Sequence, residues 1–188
     1  MGGIARPEGS ARGAVERLLN PRSVAILGAT PERDSVGGGV LSNLELFGFT
    51  GDIHLVSRSR DEINGRPCVK SVADLPHGVD VAVLIVPFKA IRDSVAACIA
   101  QGVGAIVIFT SGFAEASEEG RRAQEELAQL CADAGVALLG PNCMGYTNFV
   151  AGVPMTFEPV ARHDVGQGSR VAIIAQSGAT AANIRFAL

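Results

Sequence analysis

Short stretches of this chain hold residues whose types and spacing could do chemistry. The first, Ser23 to Gly39 (SVAILGATPERDSVGGG), is an apolar run that breaks at Gly28 into a polar loop and resumes at three consecutive glycines. A buried strand followed by such a loop and a helix aims backbone N–H groups at one spot, with the positive end of the helix dipole behind them. That spot suits a phosphate, and Gly28, Thr30, Ser35, Gly37 and Gly38 are the candidate contacts. The spacing is not G-x-G-x-x-G, because Ala29, Thr30 and Pro31 follow Gly28, so the nucleotide stays open. The second stretch, Ser57-Arg58-Ser59-Arg60, stands where an NAD-binding domain places an acid for the ribose hydroxyls. Two guanidinium groups between two hydroxyls suit a phosphate on an adenosine ribose instead. NADP carries one at the 2′ position and coenzyme A at the 3′ position. The third comprises Thr110-Ser111-Gly112, with hydroxyls and flexible backbone, and the turn Gly140-Pro141-Asn142-Cys143-Met144-Gly145. A nucleophilic Cys143 would need a base or a helix N-terminus to lower its pKa. His54, His77 and His163 show no interpretable spacing to it, so Cys143 is read as structural and no catalytic residue is assigned.

The elements that must position these residues alternate regularly. A short helix from Ala14 to Leu19 ends at Asn20-Pro21, and the strand Ser23–Leu27 leads into the glycine loop. A helix from Gly38 to about Phe47 carries Val40, Leu41, Leu44 and Phe47 on one face and stops at Gly48. Asp52 to Val56 is the second strand, and Val79 to Val86, nearly all β-branched or Leu, is a third buried on both faces. After Pro87 a helix from Ala90 to Gln101 leads to the strand Ala105–Phe109. Ser117 caps a helix with Glu118 and Glu119 in its first turn, closed by Gly135, and Val136–Leu139 is the fifth strand. Strands alternating with helices require parallel pairing and right-handed crossovers. The expected fold class is α/β, a Rossmann-like doubly wound parallel sheet. Its ligand belongs beyond the carboxyl ends of the strands, where Pro87 and Asn142 join the residues named above.

Composition bounds the function. The 188 residues are 47% hydrophobic and 19% charged with a net charge of −3, which suits a globular protein and argues against a nucleic-acid partner. Cys68, Cys98, Cys131 and Cys143 form no C-x-x-C pair, so no metal or redox motif is expected, and reduced thiols point to the cytoplasm. No apolar run approaches the ~20 residues of a membrane span, and the N-terminus has no signal core.

Taken together, LLNPRSVAILGAT, the glycines at 37 to 39, NLELFGF, EINGRP, TSGFAE, GPNCMGYTN and VAIIAQSGA resemble the CoA-binding domain of NDP-forming acyl-CoA synthetases, relatives of the succinyl-CoA synthetase α subunit. The resemblance covers about Leu18 to Ala182. It implies that Thr30 to Gly38 take the phosphates of coenzyme A and that Thr110, Ser111 and Gly112 lie along the pantetheine. Family members carry Asn-Pro-Lys after the second strand, where Ser57, Arg58 and Ser59 stand here, so the lysine's role passes to Arg58 or Arg60. The resemblance further implies a small carboxylic acid as co-substrate, ATP and Mg in a full-length ligase, and a phosphorylated histidine. It also implies an ATP-grasp module in the same chain or a separate subunit, and leaves room for an oligomer. The expected organisation is a disordered lead-in (1–13), the CoA-binding domain (14–145), a linker (146–168) and the start of a second, flavodoxin-like domain (169–188) built on a strand from Arg170 to Ala175. The alternatives are a regulatory module of a fused acetyltransferase and an NADP-binding reductase domain.

Overall fold

A computed structural model describes residues 13–162, 166 and 168–187 of the chain. A one-and-a-half-turn helix, α1 (Ala14–Leu19), precedes β1 (Ser23–Leu27), and the glycine loop leads to α2 (Val36–Leu46). β2 (Asp52–Val56) is followed by the short strands β3 (Glu62–Ile63) and β4 (Arg66–Val69). Next come β5 (Val81–Leu84), α3 (Phe88–Ala100), β6 (Ala105–Ile108), α4 (Glu118–Asp133) and β7 (Ala137–Leu139). A hairpin of β8 (Tyr146–Asn148) and β9 (Val153–Met155) and a last helix, α5 (Gly178–Ala187), complete the described elements.

Seven strands form one sheet in the order β3-β4-β2-β1-β5-β6-β7, and all its pairs are parallel except β3–β4. β1, β5 and β6 are buried on both faces because a layer packs on each side. Ala25, Leu27, Ala82, Leu84, Ile106 and Ile108 face Ile91, Val95 and Cys98 of α3 and Leu127 and Cys131 of α4. Val24, Ile26, Val81, Val83, Ala105 and Val107 face Leu18, Val40, Leu41 and Leu44 together with Val153 and Met155. The doubly wound Rossmann-like architecture expected from the alternation is therefore present, with the order reversing between β1 and β5. At the amino ends of the strands, Asp80 is buried and accepts from Arg17 Nε and the Arg22 amide, each at 2.8 Å. Gly104 leaves room for the Arg17 guanidinium, since a Cβ there would lie 2.1 Å from its carbon.

Local chemistry moves several boundaries. α2 starts at Val36 because Ser35 is its N-cap, accepting from the Gly38 amide at 3.0 Å. α3 starts at Phe88, directly after Pro87. β7 loses Val136 because that amide closes the end of α4 on the Cys131 carbonyl at 2.9 Å. The third expected strand, Val79–Val86, is regular only from Val81 to Leu84, and the Asp80 amide donates to Ser23 Oγ instead of the ladder.

Two departures are larger. Asn64 and Gly65 both have positive φ (52° and 77°) and turn β3 into β4, the hairpin chemistry of an Asn-Gly pair. The segment 146–168, expected as a linker, begins as the β8–β9 hairpin, and its residues 146–160 pack against the domain before it. Val153 and Met155 are 1% and 0% exposed. The Asn43 side-chain amide, itself buried, donates to the carbonyls of Thr156 (2.7 Å) and Glu158 (2.8 Å). Tyr146 Oη donates to the Leu18 carbonyl and Asn148 Nδ2 to that of Leu19 at 2.9 Å. A Cβ at Gly39 would lie 2.5 Å from the Phe157 carbonyl oxygen and one at Gly145 2.0 Å from that of Met155, so Gly39 lets the segment after β9 pass close to α2 and Gly145 lets β9 lie against the entry to β8.

The expected strand from Arg170 to Ala175 is not formed. That stretch is irregular, and Val171 and Ile174 are 74% and 99% exposed because no strand among the described residues pairs with them. α5 follows, capped by Ser177 Oγ, which accepts from the Thr180 amide at 3.3 Å. The expected lead-in, residues 1–13, and His163 lie outside the described residues apart from Gly13.

Candidate functional site

The carboxyl ends of β1, β2, β5, β6 and β7 open on one edge of the sheet. Gly28 turns the chain there with φ of 94°, and a Cβ would meet the Ile85 carbonyl oxygen at 2.1 Å, so only glycine lets the β1 and β5 exits lie side by side. The loop that follows is closed by its own hydroxyls. Ser35 Oγ donates to the Glu32 carbonyl at 2.7 Å and accepts the Gly38 amide, which leaves Thr30 Oγ1 as the donor in its contact with Ser35 Oγ. Both hydroxyl protons are thereby used inside the loop. The α2 amides of Val36 and Gly37, which have no intrahelical acceptor, remain at its N-terminus.

The glycines serve the loop before any ligand. A Cβ at Gly37 would lie 2.2 Å from the Gly28 carbonyl oxygen, and one at Gly38 1.9 Å from that of Glu32. Their bare α-carbons close the loop on itself. A side chain at Gly38 would therefore clash with the loop's own backbone whether or not a phosphate is present.

After β2, the Arg60 amide bonds Ser57 Oγ at 3.2 Å in a tight turn, and Arg58, Ser59 and Arg60 are exposed. Arg60 Nη2 lies 3.9 Å from Glu32 Oε1, so the arginine turn reaches across to the β1 loop. Lys70, missed in the sequence, joins them. Parallel pairing sets Val69 beside Val56, and Lys70 Nζ then donates to the Arg60 carbonyl at 3.0 Å and pairs with Asp61 at 2.6 Å. The hydrogen bond and charge of Lys70 hold the Asp61 carboxyl below its ordinary range. The Asn-Gly turn before Arg66 was the signal for this placement, since it folds Lys70 back along β2.

At the exit of β6, Thr110 Oγ1 donates to the Val86 carbonyl at 2.7 Å, beside Pro87 at the start of α3. The amides of Gly112 and Phe113 donate to Glu115 Oε1 at 2.5 and 3.2 Å. Burial works to raise the Glu115 carboxyl, but these amides outweigh it and hold the group below its usual pKa. The Gly112 amide is thus engaged by the chain itself, while Ser111 is exposed. The Asn142 amide donates to the Thr110 carbonyl at 3.1 Å, φ there is 50°, and the residue is exposed at the same edge. Cys143 is half-buried, its thiol pushed up by burial and directed at the Ile108 carbonyl at 3.5 Å. His77 packs at Gly102, at the opposite end of β6, and His54 lies on β2 with two strands between it and β6. Neither is placed to deprotonate Cys143.

The edge therefore assembles the candidate contacts read from the sequence, in two groups. Gly28, Thr30, Ser35, Gly37, Gly38, Ser57, Pro87, Thr110 and Gly112 build the walls. Arg58, Ser59, Arg60, Ser111 and Asn142 face outward. A cleft of about 920 Å³ lies elsewhere, lined by Arg22, Phe47, Phe49, Asp52 and Phe149 at the amino ends of β1 and β2. No described helix is long and apolar enough to cross a membrane.

A doubly wound sheet whose carboxyl edge carries a glycine loop, a helix N-terminus and an arginine turn defines a Rossmann-like ligand-binding domain. Residues 22–148 match the family described as CoA binding domain, and the chain belongs to that family. It is 43% identical over 93% of its length to a trans-feruloyl-CoA synthase from an unknown prokaryotic organism, covering 25% of that protein. It is 35% identical over 92% of its length to the α subunit of an ADP-forming acetate–CoA ligase II from Pyrococcus furiosus, covering 36% of it. Among solved structures it resembles the acetyl-coenzyme A synthetase 1 of Candidatus Korarchaeum cryptofilum in complex with phosphate and ADP, with a TM-score of 0.72 and 36% identity. The match covers 77% of this chain and 31% of that one. The chain thus spans about a quarter to a third of the length of these relatives.

Proposed function

We propose that this chain is the CoA-binding portion of an ADP-forming acyl-CoA synthetase. The observation that carries the reading is the arginine turn after β2, brought against the α2 N-terminal loop in a chain whose residues 22–148 match the CoA binding domain family. The donor set fits the ligand. Arg58 and Arg60 offer guanidinium groups for the 3′-phosphate, the Val36 and Gly37 amides face a pyrophosphate, and Ser111 and Asn142 line the path of the pantetheine. Coenzyme A supplies the thiol on which an acyl group is transferred. The described residues at this edge bind and orient it. In this reading the acyl phosphate and phosphohistidine steps, ATP with Mg, the small carboxylic acid and the ATP-grasp module belong to other parts of a longer cytoplasmic enzyme or its partner subunit.

Calorimetry with coenzyme A, 3′-dephospho-coenzyme A and NADPH tests the reading. Loss of the 3′-phosphate should cost about 1.5 kcal/mol, the low end for hydrogen bonds to charged groups because both guanidiniums are exposed. Equal affinity for the first two ligands would remove the arginines from the site. Tight NADPH binding without coenzyme A binding would overturn the function.

A further inference from the structure

Glu32 is an exposed acid in a loop that also carries the exposed Arg33 and Asp34 ahead of the α2 N-terminus. Nothing in the packing requires its carboxylate, because the loop is closed by the Glu32 carbonyl, which accepts from the Ser35 amide at 3.0 Å and from Ser35 Oγ at 2.7 Å. The backbone of residue 32 is structural and its side chain is left for another task. That side chain reaches Arg60 Nη2 at 3.9 Å, across the gap between the β1 and β2 exits.

We propose that Glu32 is a positioning residue that holds Arg60 over the mouth of the site and yields it to the phosphate on the ligand's ribose, thereby setting how strongly that phosphate is favoured. The inference rests on the reading of the ligand as coenzyme A.

The geometry supports an exchange. At 3.9 Å the pair is a charge contact outside hydrogen-bond range, and the two side chains are 47% and 63% exposed. Such a pair is weak and easily displaced. A phosphate brings more charge than a carboxylate and can take a guanidinium through two parallel hydrogen bonds. Of the neighbouring charged groups, Asp61 is engaged by Lys70 at 2.6 Å and Lys70 also donates to the Arg60 carbonyl, whereas the only ion pair of the Arg60 guanidinium among the described residues is with Glu32. Arg60 is therefore tethered through its backbone while its guanidinium is exchangeable.

The test measures affinities of wild type, Glu32→Gln, Arg60→Gln and the double variant for coenzyme A and 3′-dephospho-coenzyme A. With its competitor removed, Glu32→Gln should bind coenzyme A about two- to fivefold more tightly, the range set by exposed ion pairs. Dephospho-coenzyme A should change by less, so the ratio of the two rises. In the Arg60→Gln background the Glu32 substitution should leave that ratio unmoved. An equal gain for both ligands, or a ratio shift that survives without Arg60, would overturn the positioning role and leave general repulsion. If wild type prefers coenzyme A and Glu32→Gln leaves the ratio unchanged, this inference fails while the functional reading stands. If wild type binds neither ligand, the functional reading fails first.

Discussion

At the scale of single residues, the wall beside β6 depends on a carboxylate. Glu115 caps the Gly112 and Phe113 amides, which would otherwise point unpaired into the crevice. Its pKa in the folded chain lies below the ordinary 4.5. A group depressed in this way stabilises the fold above its unfolded pKa, and that stability is lost as pH falls through the folded value. Glu115 is exposed, so the effect is modest. Glu115→Gln should lower stability at pH 7 by about 0.5–1 kcal/mol. The deficit should close as pH falls through the depressed folded-state value, where the wild-type carboxyl becomes neutral as well. Urea midpoints at pH 7 and pH 3 measure both, and a deficit of equal size at the two values would show that the carboxylate's charge contributes nothing. Cys143 illustrates the opposite case. Its thiol is raised by burial and stays protonated at neutral pH, so alkylation should be slow there and rise only in alkali.

At the scale of elements, the glycine loop is a closed unit in which Ser35 and Gly38 share one task. Gly38→Val places a Cβ against the Glu32 carbonyl, 1.9 Å away, so the turn must open and the Ser35 cap must break. The expected cost is about 1–3 kcal/mol of stability for the overpacking, together with loss of coenzyme A affinity. Unchanged melting with lost affinity would instead mean that the loop yields without strain. The loop and its helix were legible because glycine, serine and an apolar stripe of period 3.6 are local signals. The closure of Thr30 and Ser35 onto each other was not, since a hydroxyl written in a sequence does not reveal whether its proton is already used. Lys70 was hidden for a related reason. Its place at the site follows from the pairing of β4 with β2, and that pairing depends on the Asn64-Gly65 turn, which the coarse alternation of strands and helices passed over.

At the scale of the whole molecule, the division of the chain was the least legible feature. Gly152, Pro154, Pro159, Gly166 and Gly168 have the composition of a linker, yet Val153 and Met155 lie in the core against Val40, Leu41 and Leu44 of α2. Only tertiary packing distinguishes a proline in a short buried strand from one in a linker. Conversely, Val171, Ile173 and Ile174 have the composition of a buried strand and lie on the surface, because burial needs partner strands that residues 168–187 do not provide. Two truncations separate the packed boundary from the compositional one. A chain ending after Val160, itself 6% exposed, keeps the hairpin, both carbonyl acceptors of Asn43 and the contact of Phe109 with Phe157, whose rings meet edge-on at 5.2 Å. It should melt cooperatively near the temperature of the longer chain and bind coenzyme A with similar affinity, since every candidate contact precedes it. A chain ending after Gly145 strips the cover from α2 and leaves the buried Asn43 amide without either acceptor, a loss of about 1–3 kcal/mol before any apolar term. Removing Met155 alone by Met155→Ala should cost about 2–5 kcal/mol. Against a typical total of about 5–15 kcal/mol, the shorter truncation should lose its cooperative melt and its coenzyme A binding together. If it retains both, the hairpin is an accessory and the domain ends where the sequence alone placed it.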